Sequence, residues 1–263
     1  MASTPSPEMK QTESYIIGST PRSGSTLLCD LLFDTGVAGQ PHSYFRREDI
    51  SWWAEQFDVS VVNWRSGHEF DQAYLAAVLR QGAGGTRVFG LRLMWESVAD
   101  LSKRLDSFYP NMDSDSARFK AAFGTPVYLH LSREDKVAQA VSLLRAEQTG
   151  LWHVNADGTE RERLKEGHAP VYDAQDLSRL VTELEEHDRC WTRWFHEQDI
   201  QPVHITYEGL VADPQATLAT VLSALGLDPG IAEAAEPRTA RLADRVNREW
   251  ATRFRMEQRG TQD

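Results

Sequence analysis

The chain has 263 residues, enough for one α/β domain or a split into two, and no run approaches the ~18 apolar residues of a membrane span. Its 41% hydrophobic and 25% charged content fits a folded globular protein rather than a disordered one. A net charge of −11 argues against a non-specific grip on long nucleic acid, so cationic residues that do converge on one site carry more weight.

The first thirteen residues are polar, rich in Ser, Thr and Pro, and lack the apolar core of a secretory signal. They read as a disordered tail (1–13), ahead of one domain over 14–263 of a cytoplasmic protein. A first strand falls at 15–19 and a helix at about 25–34, closed by Gly36. The stretch 40–49 holds Pro41 with aromatic and basic residues and reads as a site loop; helices follow at 51–57 and 70–80. A second strand is expected at 88–93, then a variable, charge- and Ser-rich region at 100–123. The third strand, 126–131, runs into Ser132-Arg133 and a helix at 134–147. The polar stretch 151–169, with the turn signal Asn155-Ala156-Asp157-Gly158, reads as a mobile lid. A long helix at 174–198 precedes a fourth strand at 203–207, a helix at 214–225 and helical structure around 238–256. Strands alternating with helices predict a parallel sheet covered by helices. The stripe Trp191, Trp194 and Phe195 reads as packing. Cys29 and Cys190 are far apart, read as reduced buried thiols, and show no metal-ligand spacing with His.

The segment Tyr15-Ile16-Ile17-Gly18-Ser19-Thr20-Pro21-Arg22-Ser23-Gly24-Ser25-Thr26-Leu27-Leu28 is a buried strand, a tight loop of small hydroxyl residues and an apolar helix start. Such a loop points backbone N–H groups and the positive helix end at an anion. Ser23, Ser25 and Thr26 add hydroxyls and Arg22 a planar cation. It differs from a nucleoside-triphosphate loop, because Ser25 stands where G-x-x-x-x-G-K-[ST] has lysine and the cation is Arg22 inside the loop.

Pro21-Arg22-Ser23-Gly24-Ser25-Thr26 resembles the phosphosulfate loop of sulfotransferases that use 3′-phosphoadenosine 5′-phosphosulfate (PAPS). With Thr35-Gly36-Val37-Ala38-Gly39, Gly90-Leu91-Arg92-Leu93-Met94-Trp95, Gln139-Ala140-Val141-Ser142 and Arg241-Leu242-Ala243-Asp244 followed by Glu249-Trp250, the chain resembles the mycobacterial trehalose 2-sulfotransferase family over about 15–254. The resemblance implies the sulfotransferase fold, a P-loop-like parallel sheet flanked by helices, with PAPS as donor and no metal. It also implies a small hydroxylated acceptor such as a sugar, and a homodimer. It places the 5′-phosphosulfate on Pro21, Arg22, Ser23, Gly24, Ser25 and Thr26, with Arg22 stabilising the leaving group. Arg133 and Ser142 would clamp the 3′-phosphate, nine residues apart where the usual separation is eight. Tyr207, in Ile205-Thr206-Tyr207-Glu208-Gly209-Leu210, would touch the adenine, and Arg241 would close over the 3′-phosphate.

Three positions depart from the family pattern. Leu242, beside Arg241, stands where the family more often has glutamine. Arg92 stands where lysine is common, facing the sulfuryl group or acceptor. Ser43, in Gly39-Gln40-Pro41-His42-Ser43-Tyr44-Phe45, stands where trehalose-sulfating members have a glutamate. Serine is no general base, so His42 becomes the candidate, with Glu48, Asp49 and the remoter His153 as alternatives. Trp95 is open between core packing and a sugar platform. A kinase- or ATPase-like enzyme and a non-catalytic nucleotide-binding module remain alternative readings. Against the former stand the missing lysine and a third strand that ends in Ser132-Arg133 rather than an acidic residue.

Overall fold

The computed structural model describes residues 13–62, 67–155, 157–164, 166–238 and 245–260; the expected tail, Glu13 apart, lies outside them. Strand β1 (Ser14–Ser19) passes through the glycine–serine loop into α1 (Ser25–Asp34). Helices α2 (Ile50–Gln56) and α3 (His68–Ala83) precede β2 (Phe89–Met94). Helices α4 (Trp95–Asp106) and α5 (Asp115–Phe123) lead to β3 (Pro126–Ser132), which feeds α6 (Lys136–Thr149). A hairpin, β4 (Leu151–Val154) and β5 (Glu160–Arg163), comes next, then α7 (Ala174–Glu197) and β6 (Val203–Thr206). The chain closes with α8 (Tyr207–Ala212), α9 (Pro214–Ala224), a 3₁₀ turn (Pro229–Ala234) and α10 (Arg245–Gly260).

The sheet is parallel in the order β2-β1-β3-β6, with Ile17 of the central β1 in register with Arg92 and Leu129. Every residue of β1 is buried, as a parallel strand covered on both faces requires. The period of two divides its neighbours between two cores. Ile16, Leu91, Leu93 and Tyr128 pack with residues of α3, α4, α5 and α7. Tyr15, Ile17, Leu129, Leu131 and Ile205 pack with α1 and α9. A third cluster joins α6, α7 and α10. Trp191, Trp194 and Phe195 are all core, as their helical spacing predicts, and Trp95 meets Trp191 edge-on at 5.3 Å. Full burial of each such side chain stabilises the fold by roughly 1.5–3 kcal/mol.

Several expectations are corrected. The region 100–123, for which the sequence offered no elements, holds the end of α4, which buries Val98, Leu101 and Leu105 at helical spacing, and α5, which Ser114 caps by accepting from the Ala117 N–H at 3.2 Å. The polar stretch 151–169 contains the β4–β5 hairpin. The helix expected at 134 starts at Lys136, after the Asp135 cap. The fourth strand stops at Thr206, whose hydroxyl accepts from the Gly209 N–H at 3.1 Å and starts α8 at Tyr207. Asp213 caps α9 with Pro214 as its first residue, as the sequence signals. Both cysteines are buried and unbridged. No helix among the described residues is long and apolar enough to cross a membrane.

Candidate active site

At the carboxyl end of β1 the backbone turns sharply. The Ser23 N–H donates to the Thr20 carbonyl at 3.3 Å, and both Arg22 (φ 61°) and Gly24 (φ 88°) are left-handed. A Cβ on Gly24 would lie 2.7 Å from Cδ2 of Tyr207, so the close approach as well as the positive φ calls for glycine. Gly24 gives α1 no side-chain cap, which leaves its first N–H groups and the positive helix end for an anion. Two side chains from elsewhere hold the loop. Fully buried Gln139 of α6 donates through Nε2 to Thr20 Oγ1 at 2.9 Å and to the Pro21 carbonyl at 2.7 Å. Trp191 of α7 donates through Nε1 to the Ser19 carbonyl at 3.0 Å. Neither role is legible from spacing, because each partner lies more than a hundred residues away.

The loop opens on a cleft of about 370 Å³. Its wall includes Pro21, Arg22, Gly24, Ser25, Thr26, His42, Arg92, Arg133, Ser142 and Tyr207 of the predicted residues. Ser23 is a correction: it is fully buried, does not line the cleft, and its hydroxyl has no partner among the described residues. Arg241 lies outside the described residues.

Three arginines are knit into the site, Arg133 by a bond to Arg22 and Arg92 by one to Thr26. Arg22 donates through Nε to Ser142 Oγ at 3.0 Å and through Nη1 to the Trp152 carbonyl at 2.6 Å. Arg133 donates through Nη1 to the Arg22 carbonyl at 3.2 Å and stacks 4.3 Å from the Tyr207 ring centre. Arg92 donates through Nε to Ser43 Oγ at 2.7 Å and through Nη1 to Thr26 Oγ1 at 2.8 Å. Burial, then the Arg133 charge, lowers the Arg22 guanidinium to about 10, still cationic at neutral pH.

His42 bridges the edge of β2, pairing with Leu91 and accepting the Arg92 N–H at 3.1 Å through its carbonyl. Its ring packs against Trp53 at 4.7 Å. The geometry corrects its expected role as base. Nδ1 accepts the Ser43 N–H at 2.9 Å, so the neutral ring carries its proton on Nε2 and has no free lone pair for a substrate. Burial, then Arg92 and Arg161, also lowers it to about 3.

The hairpin forms another wall. His153 Nε2 lies 3.1 Å from Thr26 Oγ1 and 3.4 Å from Glu162 Oε2, and Arg161 donates to Asp30 of α1 at 2.8 Å. On the remaining side Glu96, Glu183 and His187 bring ligand atoms within 4.8 Å of one another. The site therefore joins an arginine-rich anion cradle to a polar chamber of carboxylates and imidazoles.

Such a cradle at the carboxyl end of the central strand of a parallel, helix-covered sheet suits the binding of an anion. The chain belongs to the Stf0 sulphotransferase family, whose profile matches residues 14–257, and is thus a sulfotransferase. It is 32% identical over 261 residues to the trehalose 2-sulfotransferase of Mycobacterium tuberculosis, spanning 92% of this chain and 94% of that one. It is 30% identical over 270 residues to the trehalose 2-sulfotransferase of Mycolicibacterium smegmatis, with the same coverage of each. A solved sulfotransferase from Alicyclobacillus acidocaldarius aligns over 94% of this chain and 92% of its own at 14% identity, with a TM-score of 0.44.

Proposed function

We propose that the chain transfers a sulfuryl group from PAPS to a hydroxyl of a sugar. The observation that carries this reading is the set of three arginines, Arg22, Arg92 and Arg133, converging on an uncapped helix N-terminus whose cation sits inside the loop. A bound PAPS supplies a sulfuryl group activated by a phosphate leaving group. Pro21 to Thr26 hold its 5′ end, Ser23 through its backbone. Arg22 and Arg92 balance the charge that grows on the leaving oxygen. Arg133, Ser142 and Tyr207 hold the 3′-phosphate and adenine; Arg241 joins them by resemblance alone. Arginine charge does the work that magnesium does in most transfers from ATP, and we assign no metal.

The acceptor class is drawn from the relatives, both named for trehalose, and is supported by the polar residues Glu96, Glu183 and His187 that line the same cleft. The exchange at Ser43 removes the carboxylate that the resemblance expects, so this reading stops at a sugar hydroxyl and does not name trehalose. The hairpin acts as the lid of a single domain, and a cytoplasmic homodimer belongs to the same reading.

Calorimetric titration with 3′-phosphoadenosine 5′-phosphate, against ATP plus magnesium, tests the donor. Micromolar binding of the first and none of the second is expected. The reverse would replace the reading with a kinase. Binding without transfer from PAPS to any of a panel of sugars would leave a nucleotide-binding module.

A further inference from the structure

Thr26 lines the cleft from the first turn of α1, and two long-range contacts meet at its hydroxyl. Arg92 Nη1 donates to Thr26 Oγ1 at 2.8 Å, and His153 Nε2 lies 3.1 Å from the same oxygen. Cross-strand pairing in the hairpin sets Glu162 beside His153, with Oε2 3.4 Å from that nitrogen. A carboxylate only accepts, so the ring carries its proton on Nε2, between Glu162 and Thr26. Nε2 therefore has no lone pair to act as a base; His153 is a donor to Thr26, as Arg92 is.

A threonine hydroxyl has two lone pairs and one proton. Arg92 and His153 fill the lone pairs, so Thr26 is left with a proton to give. A helix threonine often returns that proton to the carbonyl four residues back. Here that carbonyl belongs to Arg22 and accepts from Arg133 Nη1 at 3.2 Å instead. Among the described residues no group accepts the Thr26 proton, and the hydroxyl stands on the wall of the anion cleft. We infer that His153 and Glu162 are positioning residues that turn the Thr26 hydroxyl toward the 5′ end of the donor; the inference rests on the donor reading above.

The hairpin is fastened where this can work. The Trp152 carbonyl accepts from Arg22 Nη1 at 2.6 Å, and Arg161 donates to Asp30 of α1 at 2.8 Å, so His153 is pinned from both strands. Burial, then Arg22 and Arg92, lowers its imidazole to about 2, so the ring is neutral and has a single proton to place. Glu162 decides the place. Without that carboxylate the proton is free to move to Nδ1, and the bare Nε2 would draw the Thr26 proton away from the cleft. A residue on the hairpin thus sets the polarity of a hydroxyl on the anion loop.

The test joins ¹⁵N-histidine NMR of the full chain, which reads the tautomer, to calorimetry with two nucleotides. These are 3′-phosphoadenosine 5′-phosphate and adenosine 3′-phosphate, which lacks the 5′ group. The expected tautomer is Nε2–H in the free chain, shifted toward Nδ1–H in Glu162→Leu. His153→Leu should weaken the first nucleotide about tenfold or more and the second less than about threefold. His153→Gln, whose side-chain amide donates from a similar place, should restore the first to within about threefold of the wild type. In a Thr26→Val background His153→Leu should change affinity no further, because it acts through that hydroxyl. An Nδ1–H tautomer, an equal loss for both nucleotides, or a loss that persists beside Thr26→Val overturns the inference. If the wild-type chain binds neither nucleotide, the donor reading itself falls and this inference falls with it.

Discussion

Arg92 Nε donates to Ser43 Oγ at 2.7 Å. These are the two positions at which the resemblance implies a lysine and a glutamate, and they are in direct contact. Substitutions at residues in contact are expected to couple energetically. A double-mutant cycle of Arg92→Lys and Ser43→Glu, read on PAPS turnover, is expected to show a coupling of about 0.5–3 kcal/mol. Additive effects would mean that the contact is incidental.

Arg22 has two burdens, a buried charge on the cleft wall and a left-handed backbone. Arg22→Ala and Arg22→Gly should both lose transfer by a factor of about 100 or more, the loss expected for an oxyanion-type contact. Thermal unfolding should separate them: the glycine variant is expected to be more stable than the alanine variant by about 1 kcal/mol, because only glycine takes φ 61° without strain. Arg133→Ala, by contrast, should mainly weaken nucleotide binding, by roughly 10- to 100-fold for a lost charged hydrogen bond.

Gln139→Leu should damage the loop without touching a ligand. It strands Thr20 Oγ1 and the Pro21 carbonyl, and a buried group left unpaired costs about 1–3 kcal/mol. Denaturant unfolding should show this loss, together with weaker binding of 3′-phosphoadenosine 5′-phosphate. Unchanged stability would mean that the loop holds its shape alone.

Acid should destabilise the chain through its buried imidazoles. His130 of β3 has no partner for either ring nitrogen among the described residues, and burial lowers it to about 4. Between that value and the ordinary 6.5, the unfolded chain binds a proton that the folded chain refuses, so stability falls as pH drops from 6.5 toward 4. The cost at pH 5 relative to pH 7.5 is about 2 kcal/mol. His130→Phe should recover about that much at pH 5 beyond whatever it changes at pH 7.5. Equal effects at both pH values would show that His130 titrates normally.

The anion loop was readable in the chain because it is local: strand, loop and helix start are contiguous, and Arg133 follows its own strand directly. What depends on distant partners was not. Gln139 and Trp191 grip the loop from α6 and α7, and no spacing announces that. The charge of 100–123 hid α4, although Val98, Leu101 and Leu105 carry its helical period. His42 was the natural base by composition. One hydrogen bond from the Ser43 N–H decides its tautomer, and a sequence does not display tautomers. His153 lay in a stretch read as loose and polar, where only the hairpin register brings it against Thr26 and Glu162.

Gly18 leaves room for Trp191: a Cβ there would lie 3.2 Å from the indole ring. Trp191 is on the same helix as His187 and Glu183, one and two turns back, which line the same cleft as the anion loop. The absence of one methyl group at position 18 lets the indole close on the sheet. Because that same indole grips the Ser19 carbonyl, the acidic, imidazole-bearing wall and the anion loop share one hinge pin, and neither can be shifted from this point without the other.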